Sequence, residues 1–160
     1  MDNRAYVVFA NKDFTEFSPA VYLHWNGGPE SIWAFLQEMD RRNIRGGDDL
    51  PYQVARFAHI VCDYFDGHEA GGLSVGIMPG PSKIGEYDTN HLPDEENGLY
   101  VIVRGKGEPV VRRFFGENWT EDNSGWKPDE LAQHPYSDIT NENSIASILQ
   151  TTRPKISRTG

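Results

Sequence analysis

The sequence predicts an α+β fold: an antiparallel sheet of about five strands, with two main helices packed on one face. Three observations carry this. Residues 20–39, AVYLHWNGGPESIWAFLQEM, read as strand, tight turn and helix. A second helical apolar pattern follows after a short break. Two apolar runs then flank a Gly- and Pro-containing connection, as in a hairpin. The resulting order is β-β-α-α-β-β-β, with the helices grouped between antiparallel hairpins.

Residues 5–10, AYVVFA, are β-branched and aromatic and form the first strand. Residues 11–19 are a polar loop leading into the second strand, residues 20–25. There Val21, Leu23 and Trp25 alternate with Tyr22 and His24. Asn26-Gly27-Gly28 breaks the alternation, because Gly takes positive φ freely and Asn tolerates it. Pro29 suits a first helical position and Glu30 meets the positive end of the helix dipole. Ile32, Phe35, Leu36 and Met39 then form one apolar stripe, and Arg41 and Arg42 suit the last turn. The first helix spans residues 29–42.

Residues 43–49, NIRGGDD, break the chain, and Asp48 or Asp49 caps a second helix. Its stripe is Val54, Phe57, Ala58, Val61 and Phe65, over residues 50–65, with a stop at Gly67. Residues 73–78 are a strand halted by Pro79-Gly80-Pro81, and residues 82–97 are a long acidic loop. Residues 99–104 and 110–115 are strands joined by the connection 105–109. Residues 116–137 are irregular apart from one helical turn at 128–131. Residues 143–150 form a short helix with Ile145, Ile148 and Leu149 inward. Residues 151–160 are a basic, flexible tail, so the 160 residues divide into a single domain over 1–150 and that tail.

With 38% hydrophobic residues, including 4 Trp, 7 Tyr and 8 Phe, the chain has enough apolar mass for a core. Cys62 is the single cysteine, which rules out an internal disulfide and favours a reducing compartment. The N-terminus shows no basic region followed by an apolar run, and no stretch approaches a membrane span, so a cytoplasmic location is expected. The net charge of −9 argues against direct binding to nucleic acid or an anionic membrane. Residues 83–142 hold thirteen acids against six Lys and Arg, a balance of −7, whereas residues 143–160 carry +3.

Tyr22-Leu23-His24-Trp25-Asn26-Gly27-Gly28-Pro29 resembles a segment of small uncharacterised proteins of bacterial mobile elements, phages and plasmids. The resemblance covers residues 5 to about 80. It brings no activity and no site residue. It implies a setting: an accessory cytoplasmic protein, in a class where inhibitors of host defence are common.

The Gly-Gly turn feeding a helix has the outline of an anion cradle. It lacks a Gly-Lys-Ser/Thr ending and a G-x-G-x-x-G pattern, and Pro29 removes one N–H, so a tight turn is the favoured reading. Cys62 and His59, at i and i+3 on one helix, have the types of a thiol nucleophile and its base. No cysteine-enzyme signature surrounds them, and a packed thiol is favoured. Asp63, Asp66, His68 and Glu69 supply metal-ligand types at a spacing that fits no standard site. The five His residues (24, 59, 68, 91 and 134) are scattered; His24, beside Trp25, is the one best placed for a site. Arg104, Lys106, Arg112 and Arg113 gather on one hairpin, where internal pairing with acids is expected over phosphate binding.

The acidic segments 86–96 and 117–142 are the most suggestive feature. An array of carboxylates can imitate phosphate spacing and occupy a basic channel on another protein. The residues expected to meet a partner are Glu86, Asp88, Asp94, Glu95, Glu96, Glu117, Trp119, Glu121, Asp122 and Trp126, with Tyr87 and Tyr136 nearby. The alternative for these acids is a solvated face that aids solubility. The first functional expectation is therefore a binding protein, not an enzyme, with no cofactor, no metal and no catalytic residue. Its expected partner is a host protein or complex with a basic surface, such as a CRISPR or restriction effector. A second reading is a small hydrolase or transferase acting on a nucleotide or protein through His24, Asp63, His68 and Glu69. A third is a phage structural or assembly protein that self-associates through exposed aromatics.

Overall fold

The structure, a computed structural model, describes residues 3–66, 75–87 and 96–131, together with Ile145 and Leu149. Its elements are β1 (Ala5–Phe9), β2 (Ala20–Leu23), α1 (Pro29–Arg41), α2 (Leu50–Asp66), β3 (Val75–Met78), β4 (Leu99–Val103), β5 (Val110–Phe115), β6 (Thr120–Glu121) and α3 (Pro128–Leu131). The class is α+β. Among the described residues the sheet has six strands, in the order β3-β2-β1-β4-β5-β6. Every pairing is antiparallel except β1 with β4, which run parallel with Tyr6 opposite Leu99 and Phe9 opposite Ile102.

Two features of the sheet differ from the sequence reading. It is mixed, because the chain leaves β3 at one edge and re-enters beside β1, a direction that no local pattern encodes. It also gains β6, a two-residue polar strand, Thr120–Glu121, too short to show an alternation. The second strand ends at Leu23, two residues earlier than the alternation suggests, so His24 and Trp25 lie beyond it. The two helices fall on one face, as expected.

The turn between β2 and α1 shows why its residue types matter. Asn26 carries the positive φ, 59°. Gly28 is the N-cap in an extended conformation, with φ −71°, so left-handed freedom is not what it supplies. Gly27 is required for close approach: a Cβ there would lie 2.7 Å from both the Ala5 Cβ and the Asn3 carbonyl oxygen. The Gly27 N–H donates to Asn3 O at 2.8 Å, and Gly27 O accepts from the Tyr100 hydroxyl at 2.8 Å. Pro29 occupies the first helical turn, and Asp49, of the two cap candidates, accepts from the Tyr52 N–H at 3.4 Å.

The helix face of the sheet is the larger core. Ile32, Phe35, Leu36 and Met39 of α1 meet Val54, Phe57, Val61 and Phe65 of α2, over Val7, Phe9, Val21 and Tyr100. Phe57 packs edge-on against Phe9 and Phe35, with centroids 5.5 and 5.9 Å apart. Ile145 and Leu149, both helical, are fully buried in this core, in line with the inward face expected for them. The opposite face is also covered. Tyr6, Val8, Leu99, Val101 and Phe114 are buried there beneath Phe14, Phe17, Ile84, Tyr87 and Trp119. Burial on both sides explains why β1 is a continuous apolar run.

Charged groups stitch the helices together. Glu38 is fully buried and accepts from Arg41 Nε at 2.6 Å and Arg42 Nε at 2.7 Å, while Arg42 Nη1 reaches Asp63 at 3.0 Å. Arg104, just past β4, donates to Ile44 O at 2.7 Å, Asp40 at 3.0 Å and Gln53 at 3.3 Å. Its own carbonyl accepts from Gly47 N at 2.8 Å, which clamps the loop between the helices to the sheet. The expected stop at Gly67, residues 73–74 of the third strand, the remainder of the 143–150 helix and the 151–160 tail lie outside the described residues.

Gly46 tests this clamp. A Cβ there would stand 2.5 Å from the Arg104 carbonyl oxygen, whereas one on Gly76 of β3 would meet nothing within 4 Å. Gly46→Ala is expected to cost about 1–3 kcal/mol in urea unfolding, and Gly76→Ala to stay within about 0.5 kcal/mol of the parent. Equal effects would show that the loop is not pinned at Gly46.

Candidate functional site

The described part of the acidic region is organised by β5. Alternation along this strand sends its two adjacent arginines to opposite faces. Arg112 emerges on the face of Phe14 and Phe114, 4.8 and 5.1 Å from their ring centres. Arg113 turns to the helix face, 4.5 Å above the Tyr100 ring, and donates to Asn97 O at 2.8 Å. The chain then reverses through Gly116, at φ 75°, and Trp119, at φ 53°, into β6.

Backbone and side-chain bonds hold the ribbon that follows. Asp122 N donates to Arg113 O at 3.0 Å, and Arg113 N donates to Asn123 Oδ1 at 2.8 Å. Asp122 Oδ1 accepts from Ser124 N at 3.0 Å, and Trp126 N donates to Asn123 O at 2.9 Å. Trp126 then enters the core, edge-on to Trp33 and Tyr100 with centroids 5.9 and 6.0 Å apart. Leu131 of α3 is buried in the same cluster. Between these anchors Glu117, Glu121, Asp122, Asp129 and Glu130 are all exposed.

The residues expected to meet a partner therefore have unequal positions. Trp126 is 7% exposed, so it fastens the ribbon and presents almost no surface. Its Nε1 and the Arg113 Nε are buried without an acceptor among the described residues. Trp119 is half-buried, its ring tilted against Phe114 with centroids 5.4 Å apart. Glu121 forms a two-bond pair with Arg112, at 2.7 and 2.9 Å, and accepts from Asn123 at 2.9 Å. Glu86 pairs with Lys83 at 3.1 Å within its own turn, and Glu96 accepts from Arg4 N at 3.2 Å. Glu117 and Asp122 carry no ion pair among the described residues. Asp88, Asp94 and Glu95 lie outside the described residues, as do Tyr136, His68, Glu69, His91 and His134. The expected internal pairing with acids holds for Arg104, with Asp40, and for Arg112, with Glu121; Arg113 instead donates to the Asn97 carbonyl, and Lys106 is exposed.

The Arg112 pair holds the Glu121 carboxyl below the usual carboxylate range, with Asn123 adding to it, and the Asp122 carboxyl is lowered by its bonds to Ser124. Cys62 is half-buried, and burial first, then Asp66 and Asp63, push its thiol up, away from the thiolate that a nucleophile needs. His59, 60% exposed, is 3.5 Å from Asp63, whose carboxylate is also engaged by Arg42. His24 Nδ1 lies 3.4 Å from the Tyr22 hydroxyl, and its ring lies 4.9 Å from Trp25. Among the described residues no three His, Cys, Asp or Glu side chains converge as metal ligands.

One concavity escapes sequence reasoning. Trp33, Gln37 and Asp40 of α1 face Gly105, Gly107 and Glu108 of the β4–β5 connection across a groove of about 460 Å³. The only signal was Trp33, Gln37 and Asp40 recurring at helical spacing beside the apolar stripe; the facing turn is remote in sequence. Comparison of the chain with protein-family models, with curated proteins and with solved structures finds no match.

Two outcomes follow. Because the folded value of Glu121 is lowered, its pair stabilises the protein above the ordinary Glu value, about pH 4.3, and is lost as pH falls through the lower folded value. Glu121→Gln is thus expected to cost about 0.2–1 kcal/mol at neutral pH, with the difference closing below about pH 4. A pH-independent difference in denaturation midpoint would contradict this. Cys62 is expected to react with iodoacetamide more slowly than a free cysteine peptide across about pH 6–8; faster reaction would reinstate it as a candidate nucleophile.

Proposed function

We propose that the protein acts by binding: it docks the acidic ribbon that follows β5 onto the basic surface of a protein partner. The observation that carries this is the ribbon at 117–130. It bears five exposed carboxylates; Glu121 is paired with Arg112 and Glu130 stands 3.7 Å from Lys127, which leaves Glu117, Asp122 and Asp129 with no ion pair among the described residues. Bonds from Arg113 and the buried Trp126 fix the backbone between them. Charges held in place before contact lose little conformational freedom on binding. A one-signed field also steers encounter with a surface of opposite sign. Half-buried Trp119, beside Glu117, offers an aromatic contact at the rim.

A protein surface built to hold nucleic acid is the class of basic surface that such an array fits best. The resemblance of residues 22–29 to mobile-element proteins supports a host nucleic-acid-targeting defence complex, of CRISPR or restriction type, as the partner. The protein would then inhibit it by occupying that surface.

Tagged protein recovered from host lysate tests the proposal. The wild type is expected to retain a stoichiometric nucleic-acid-binding protein at about 50 mM salt and release it near 500 mM. A Glu117→Lys, Asp129→Lys variant leaves the Arg112–Glu121 pair and the Asp122–Ser124 bond intact and should retain none while keeping the parental circular dichroism. Absence of a partner at either salt, or equal retention by the variant, would defeat the proposal.

A further inference from the structure

The groove between α1 and the β4–β5 connection is walled by carboxylates on two separate elements. Asp40 stands near the end of α1 and Glu108 on the facing turn. Asp40 is 54% exposed and engages Arg104 through one oxygen, at 3.0 Å. Arg104 is 6% exposed and committed to Ile44 O, Arg45 O and Gln53, so it does not serve Glu108. Glu108 is exposed and makes no hydrogen bond or ion pair among the described residues. Lys106, on the same turn, does not line the groove. Trp33, Gln37, Gly105, Gly107 and Pro109 complete the lining. Trp33 in turn touches Trp126, which places the groove beside the anchored end of the acidic ribbon.

We infer that this groove is a subsite for one basic side chain, Arg or Lys, of a protein partner. An ammonium or guanidinium between Asp40 and Glu108 meets a carboxylate from each wall and an amide oxygen from Gln37. Trp33, 5% exposed, adds little surface for the methylene stem, so the charged head carries the contact. The groove is shallow and open, which suits a side chain projecting from another protein. The inference rests on the charge-led docking proposed above, and adds a specific pocket to it.

Isotope-labelled protein titrated with acetyl-Gly-Arg-Gly-amide, its Lys analogue and its Glu analogue tests it, up to about 10 mM peptide. The two cationic peptides should give saturable shifts at the Gly105 and Gly107 amides, the Gln37 side-chain amide and the Trp33 indole N–H, and the Glu peptide none. Glu108→Gln, an exposed change that spares the Asp40–Arg104 bond, should weaken binding about fivefold. Shifts confined to residues 117–130 would overturn the groove while leaving charge-led docking standing. No saturable shift at the groove, equal shifts with the Glu peptide, or unchanged affinity in Glu108→Gln would each overturn the inference. The lysate experiment judges the docking reading separately.

Discussion

The fit of Gly27 against the start of β1 is the constraint on which the rest of the structure depends. There is no room for a side chain between Gly27 and residues Asn3–Ala5. The same residue donates its N–H to the Asn3 carbonyl and accepts from the Tyr100 hydroxyl through its own carbonyl. One glycine thus joins the turn before α1 to β1 and to β4, the two strands whose parallel pairing closes the centre of the sheet. Tyr100 is fully buried, and burial raises its hydroxyl well above the usual tyrosine value, so it remains a donor to Gly27 at any ordinary pH. With the turn fixed there, the stripe of α1 falls over Tyr100 and Phe9, and α2 packs against both.

A second constraint is that the sheet is buried on both sides. Helices cover one face; residues from irregular segments, Phe14, Phe17, Ile84, Tyr87 and Trp119, cover the other. Aromatics that look available in the sequence are used for this purpose. Period-two alternation decides which charged groups remain for outside contact. Arg112 and Arg113 are adjacent, yet one binds Glu121 at the surface and the other lies under Asn97 and over Tyr100.

Acidic composition therefore overstates free negative charge. Glu38 is spent inside the helix pair, Asp63 on Arg42, Glu121 on Arg112 and Glu86 on Lys83. Within the ribbon and the groove, what remains for a partner is narrower: Glu117, Asp122 and Asp129 along the ribbon, and Glu108 across the groove. Their positions follow from buried neighbours, Trp126 beneath the ribbon and Trp33 beside the groove, and not from the acids themselves.

The sequence by itself determined the elements whose signal is local. The strand, turn and helix over residues 20–41, the second helix from Leu50 and the β4–β5 hairpin each carry their own periodicity and caps, and the helices share one face as their stripes require. The acids of the ribbon were visible as composition. Tertiary structure alone decided the parallel β1–β4 pairing, the short strand β6, the reason for Gly27 and the burial of Trp126. It also decided which acids are neutralised and that Asp40 faces Glu108 across a groove. Each of these depends on residues tens of positions apart, brought together by the sheet order. A chain read in windows of ten residues records side-chain type and period, but not what the next strand places opposite.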